Sequence, residues 1–289
     1  MSRAVAVLQG SLPPSELSEV ARTLAFSYKT LMSDSEIWDM ILAALPPAAG
    51  ELVSPYRKTD VGHRVVNDLV MRFYPWERKV KYWLARTYLN ETDEVAAFEI
   101  NVDSSRLDFA RINGQSYAYE IKTELDNTTR LATQLQNYAR VFEYLYVLTH
   151  ESHLSKVSGL IPECCGIIIF ESHEKGCDFH LFKEASPNPD VSPEAQLRNL
   201  SSRDLAWILR QAGVPTPPPT RAEREKLVSQ TFTEADIHEY FKRALKAKFA
   251  PRWKFLRQNF HSLLPIDVEL FFQAPVDPAW VYYRDSSIV

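Results

Sequence analysis

The stretch RLDFARINGQSYAYEIKTELD (106–126) sets two carboxylates and an amine, Asp108, Glu120 and Lys122, inside sequence that otherwise reads as β-strand. Glu120 and Lys122 are two apart, so on a strand both project from one face while Ile121 points to the other. Two carboxylates crowded into a half-buried site repel each other and are costly to desolvate, and a divalent cation relieves both penalties. Magnesium takes oxygen ligands, commonly one or two carboxylates completed by water and substrate phosphate. Asp108, Glu120 and the Ile121 backbone carbonyl would supply such a set, with Glu99 on the preceding strand as a further ligand. Lys122 could orient or deprotonate an attacking water, or steady charge on a phosphate. The chemistry that fits is metal-assisted hydrolysis of a phosphodiester. The plain alternative for Glu120 and Lys122 is a solvated strand face with an ion pair to Arg106 or Asp108.

Whether Asp108 can join Glu120 depends on the hairpin between them. A two-residue Asn113-Gly114 turn pairs Asp108 with Tyr119 and puts the two carboxylates on opposite faces. A three-residue loop, or a bulge with Gly114 at positive φ, shifts the register by one and brings both to one face. If the acids act together, the turn is not a plain two-residue one.

The helix expected next adds a second signal. Gln134 and Tyr138 are four apart in QLQNY and share one helix face, beside a buried stripe of Leu131, Leu135, Phe142 and Leu145. A Gln amide and a Tyr ring there could reach the metal site or a nucleic-acid strand, and Arg130 just before them could hold a phosphate.

Together, LDFARI, EIK and QLQNY resemble the PD-(D/E)XK nuclease superfamily, in its RecB-like branch with the QxxxY motif. The longer pattern is similar to the sce-type stand-alone nuclease-like proteins of bacteria and phages. The resemblance covers about residues 76–184, with Leu-Asp standing where the superfamily's name has Pro-Asp. It implies a restriction-endonuclease-like αβββαβ core and a nuclease dependent on Mg²⁺ or Mn²⁺. It implies Asp108 and Glu120 as metal ligands, Lys122 as the catalytic lysine, and Gln134 and Tyr138 as the QxxxY pair. A non-cleaving nucleic-acid-binding or assembly module on the same fold, and a ribonuclease using the same site, are the alternatives. A lysine close to a bound metal should titrate low, so activity should climb toward alkaline pH.

The elements that would position these residues can be read along the chain. SELSEVARTLAFSYKTLMSDSEIWDMILAAL (15–45) has helical spacing, with Ser33 and Glu36 placed as a capping box and PPAAG ending the run. Segments 61–75 and 76–89 read as two more helices, the first stopped at Pro75. Residues 95–100, 106–112 and 116–122 read as a meander of three strands. Helical period returns over 130–145, then strands over 144–150, 165–171 and 178–184. Beyond 185 most segments read helical, with VPTPPPT as an interruption and an extended aromatic tail. The fold expected is mixed α/β: a helical segment at 1–60, the nuclease-like core at 61–184, and a mainly helical region at 185–289 that caps the sheet or binds nucleic acid.

Composition narrows the setting. A net charge of −4 excludes a global basic field, so nucleic acid must be met by a local surface such as the run FKRALKAKFAPRWKFLR (241–257). Three cysteines, two of them adjacent, fit neither a disulfide framework nor a zinc site. The apolar run near the start is too short for a signal peptide, and no stretch reaches the ~20 apolar residues of a membrane span. The expected setting is cytoplasmic, with nucleic acid as partner, no membrane, and a homo-oligomer possible.

Overall fold

A computed structural model describes residues 1–174 and 176–284. Helices α1 (Arg3–Ser11), α2 (Pro14–Ser27), α3 (Asp34–Ala44), α4 (Pro47–Val53), α5 (Gly62–Phe73) and α6 (Glu77–Tyr88) precede the strands β1 (Val95–Val102), β2 (Ser105–Ile112) and β3 (Ser116–Lys122). Then come α7 (Leu131–Ala139), β4 (Tyr144–Thr149), α8 (Leu154–Ser158), β5 (Gly166–His173) and β6 (Gly176–Lys183). The chain ends in α9 (Pro193–Asn199), α10 (Ser202–Gln211), α11 (Arg221–Thr231), α12 (Glu234–Asn259), α13 (Val268–Gln273) and α14 (Pro278–Tyr282). It divides into two compact units. One holds Met1–Arg86, Ser172–Cys177 and the chain from Phe255; the other holds Thr87–Glu171 and Asp178–Lys254.

The first unit is helical and is organised on α5, whose Val65, Val66, Leu69 and Val70 are completely buried. The helix starts here are fixed by side chains and by proline. Ser33 and Glu36 form the expected capping box on α3, and Pro14 and Pro47 open α2 and α4. PPAAG does end the helix before it, since α3 stops at Ala44, and Pro47 also opens a further helix. Proline at the first helical position lacks only an N–H that would go unbonded anyway, so the run starts a new helix. The aromatic tail is likewise not extended as far as residue 284, because Pro278 opens α14 after an Asp277 cap. Residues 285–289 of that tail lie outside the described part.

The second unit is built on a six-stranded sheet of order β1-β2-β3-β4-β5-β6. The first three strands form an antiparallel meander, and β3, β4 and β5 run parallel. Parallel neighbours need a crossover, and α7 supplies the one from β3 to β4. The helical period seen over 130–145 runs past the helix itself, since Tyr144 and Leu145 already belong to β4. Val147 and Leu148 are both fully buried, as expected of a central parallel strand covered on two faces. Phe98, Phe109 and Tyr119 pack edge to face on one side of the sheet. Ala110, Ala118 and Leu145 lie on the other side, where α7 packs against β2 and β4.

Candidate active site

The hairpin register decides the site. Ile112 pairs with Ser116 and Phe109 with Tyr119, leaving Asn113, Gly114 and Gln115 as a three-residue loop. Gly114 sits at φ 109°, open to glycine and strained for other residues. The same register carried one step further sets Asp108 opposite Glu120, on the α7 side of the sheet. The backbone ladder stops just short of that pair. The Ile121 N–H donates to the Asp108 carboxylate at 2.7 Å instead. In a strand the N–H and C=O of one residue point to the same side. The Ile121 carbonyl therefore faces the β2 side, toward Asp108.

Glu120 is buried and both its oxygens are bonded. Lys122 Nζ donates to Oε1 at 2.5 Å, and the Tyr138 hydroxyl donates to Oε2 at 2.9 Å. Tyr138 is fully buried and also lies 2.9 Å from the Arg106 carbonyl, so α7 is tied to both strands at the site. Gln134, one turn earlier, bonds the Tyr138 hydroxyl, and its amide oxygen is buried with no partner among the described residues. Glu99 has left-handed backbone at φ 56°; the β1–β2 ladder passes over it, and it pairs with Arg106. Arg130 is exposed at the start of α7. Asp108, Glu120 and Lys122 thus share one sheet face, with Gln134 and Tyr138 on the helix covering it.

Burial pulls the Lys122 ammonium down, but Glu120, Asp108 and Asp126 together hold its pKa above the ordinary lysine value. Without a metal, the lysine titrates in the opposite direction to the fall expected beside one. Burial first, then the charges of Glu120 and Asp108, hold the Tyr138 phenol well above its usual range, so it stays a donor. The all-oxygen set of Asp108, Glu120 and the Ile121 carbonyl suits a hard dication, and the orphaned Gln134 oxygen provides one more acceptor beside it.

Two contributions were not visible in the sequence. Arg106 acts through its backbone carbonyl and through Glu99, neither of which leaves a pattern. Asp126 lies in the turn before α7, which begins at Leu131. Its carboxylate closes the preceding turn by accepting from the Thr123 N–H and hydroxyl at 2.8 and 2.7 Å.

The second unit is thus of mixed α/β class, with acids and a lysine meeting on one sheet face. The chain belongs to the family of bacteriophage P4 protein cII, whose family model matches residues 77–270. It is similar to protein cII of Enterobacteria phage P4, at 27% identity over 111 residues. That stretch is 38% of this chain and 42% of the phage protein, so the match spans well under half of either. A protein of unknown function from Silicibacter pomeroyi aligns over 49% of this chain and 94% of its own, at 12% identity and a TM-score of 0.32. Among the described residues no helix is long and apolar enough to cross a membrane.

Proposed function

We propose that the chain is a metal-dependent nuclease that hydrolyses DNA phosphodiester bonds on a restriction-endonuclease-like core. The order α6, β1, β2, β3, α7, β4 supports the αβββαβ reading. The observation that carries the function is the meeting of Asp108, Glu120 and Lys122 on one sheet face, with Tyr138 of the QxxxY helix bonded to Glu120. Asp108, Glu120 and the Ile121 carbonyl would hold Mg²⁺ or Mn²⁺, with Glu99 contributing through water. When bound, the ion supplies Lewis-acid polarisation of the phosphate and a more acidic water.

The chain's own residues do the rest. The Ile121 N–H fixes Asp108, Tyr138 fixes Glu120, and Glu120 aims the Lys122 ammonium into the site to balance charge that develops on the phosphate. Gln134 and Arg130 contact the strand being cut. The family name points to a phage origin, and the setting would be cytoplasmic.

The test is cleavage of plasmid, linear duplex and single-stranded DNA with Mg²⁺ or Mn²⁺. Asp108→Ala and Lys122→Ala should each lower the rate by about 10²–10⁴-fold. Activity that persists unchanged in both variants overturns the site. Binding without metal that tolerates Glu120→Gln, with no cleavage by the wild type, would instead identify a non-cleaving module on this sheet.

A further inference from the structure

In the second unit, α10 and α12 leave a cavity of about 670 Å³ between them. Its lining is unusual for two packed helices. From α10 come Arg203 and Trp207, four apart and so on one face. From α12 come Ala244, Lys248 and Arg252, again at intervals of four. Ala244 lines the cavity together with the indole, which is half-buried where a core tryptophan would be covered.

Among the side chains lining the cavity, cations outnumber acids. Three cations line it against one acid, Asp204. That acid is already engaged as the cap partner of the Ser201 N–H and hydroxyl, at 2.8 and 2.7 Å, with Lys248 3.8 Å away. A ligand suited to this lining carries a flat ring for the indole and negative charge for the guanidinium and ammonium groups.

We infer that the cavity between α10 and α12 is a subsite for single-stranded nucleic acid. One base stacks on Trp207, and the phosphates flanking it are held by Arg203, Lys248 and Arg252. A single strand offers an exposed base face and adjacent phosphates together, whereas a duplex hides the face in its own stack. The volume falls within the range of small-molecule sites and leaves room for a nucleotide unit. The chemistry uses the ring and the phosphate, so it is shared by DNA and RNA strands. The inference deepens the nuclease reading by naming the form of substrate that is held away from the cutting residues, and it needs neither the metal nor Asp108.

The experiment is fluorescence anisotropy of a labelled short oligothymidylate titrated with the full-length protein in EDTA, with oligouridylate and a duplex as parallel arms. Trp207→Ala should weaken single-strand binding about ten-fold or more, the size of one lost stack, while Trp207→Phe restores most of it. Lys248→Ala and Arg203→Ala should each weaken binding and flatten its salt dependence by about one phosphate contact. These side chains are exposed, so their variants test the site even if Trp207→Ala unfolds. Binding of both single strands supports a ring-and-phosphate site. Single-strand binding unchanged in Trp207→Ala and Lys248→Ala overturns the subsite, and so does a duplex that binds as tightly as a single strand and is equally sensitive to Trp207→Ala. The nuclease reading fails separately, if the wild type binds but does not cut with Mg²⁺ or Mn²⁺.

Discussion

Asp267 of the helical unit and Glu120 of the sheet unit are both buried carboxylates with a tyrosine hydroxyl on one oxygen, yet their surroundings differ in kind. Glu120 has an ammonium at 2.5 Å and the backbone-anchored Asp108 across the strand pair. Asp267 is bonded by hydroxyls, Thr30 at 2.6 Å and Tyr28 at 3.0 Å, with Tyr282 also donating. Burial pushes the Asp267 carboxyl up to about 6 in spite of those donors. In the sheet unit the carboxylates instead raise the titration of the lysine, so its charge is retained. Hydroxyls satisfy hydrogen bonds without neutralising charge, whereas a counter-ion does both. A buried acid among hydroxyls therefore serves the fold. Two acids with an amine, between inner strands where the ladder has opened, are what the proposed dication chemistry would need.

The sharpest break of this contrast is Lys122→Ala. It removes the counter-charge and makes Glu120 resemble Asp267. Besides the loss of cleavage, removing one member of a buried pair should cost about 3 kcal/mol of stability, read from the urea midpoint. Bound Mg²⁺ or Mn²⁺ should recover part of that loss, because the ion replaces the missing positive charge. A variant as stable as the wild type, with no response to metal, would show that the pair is solvated and the contrast illusory.

Next in size is the pH dependence of the helical unit. His63 lies 2.7 Å from the Tyr28 hydroxyl and is pulled down to about 4 by burial. Its folded value is below the ordinary 6.5, so its contribution is fully present above 6.5 and is lost as pH falls toward 4. Asp267 has the opposite sign. Its folded value of about 6 lies above the ordinary 3.8, so its contribution is present below 3.8 and is lost as pH rises through 6. Each gap is worth about 3 kcal/mol at about 1.4 kcal/mol per pH unit, and the two nearly cancel in the wild type. Asp267→Asn should leave stability that climbs with pH over this window, and His63→Gln stability that falls. Urea midpoints across the window read both slopes. Two variants sloping the same way would mean that the hydroxyl knot is not what titrates.

How much of this could be read in advance follows from the distance between partners. Asp108, Glu120, Lys122, Gln134 and Tyr138 lie within a short stretch of chain, and strand and helix periods alone put them near one another. The hairpin was legible only as a condition, because Asn113-Gly114 serves a two- or a three-residue loop and strand pairing selects between them. Tyr28, His63 and Asp267 come from opposite ends of the chain, and no local pattern announces their network. Lys248 lies in the basic run 241–257 that the sequence marks as a candidate nucleic-acid surface, but its pairing with Trp207 shows only once α10 and α12 pack together. PPAAG was legible as the end of α3 but not as the start of α4, because proline stops a helix from within and starts one from its first turn, and only the neighbouring turn tells which.

A smaller effect should come from Tyr138→Phe, which keeps the ring in the core and deletes the hydroxyl that joins Glu120 to the Arg106 carbonyl. The matching change in the helical unit is Tyr28→Phe, which removes a donor from Asp267. Each should cost about 1–2 kcal/mol, since a buried acceptor is left short of a donor. They differ in function. Tyr138→Phe frees Glu120 to swing, and cleavage should fall about ten-fold with Lys122 intact, because positioning is lost and charge is not. Tyr28→Phe should leave cleavage unchanged at temperatures where the protein stays folded. If both variants lose activity in proportion to stability, Tyr138 is a core residue like Tyr28 and the QxxxY helix does not position the acid.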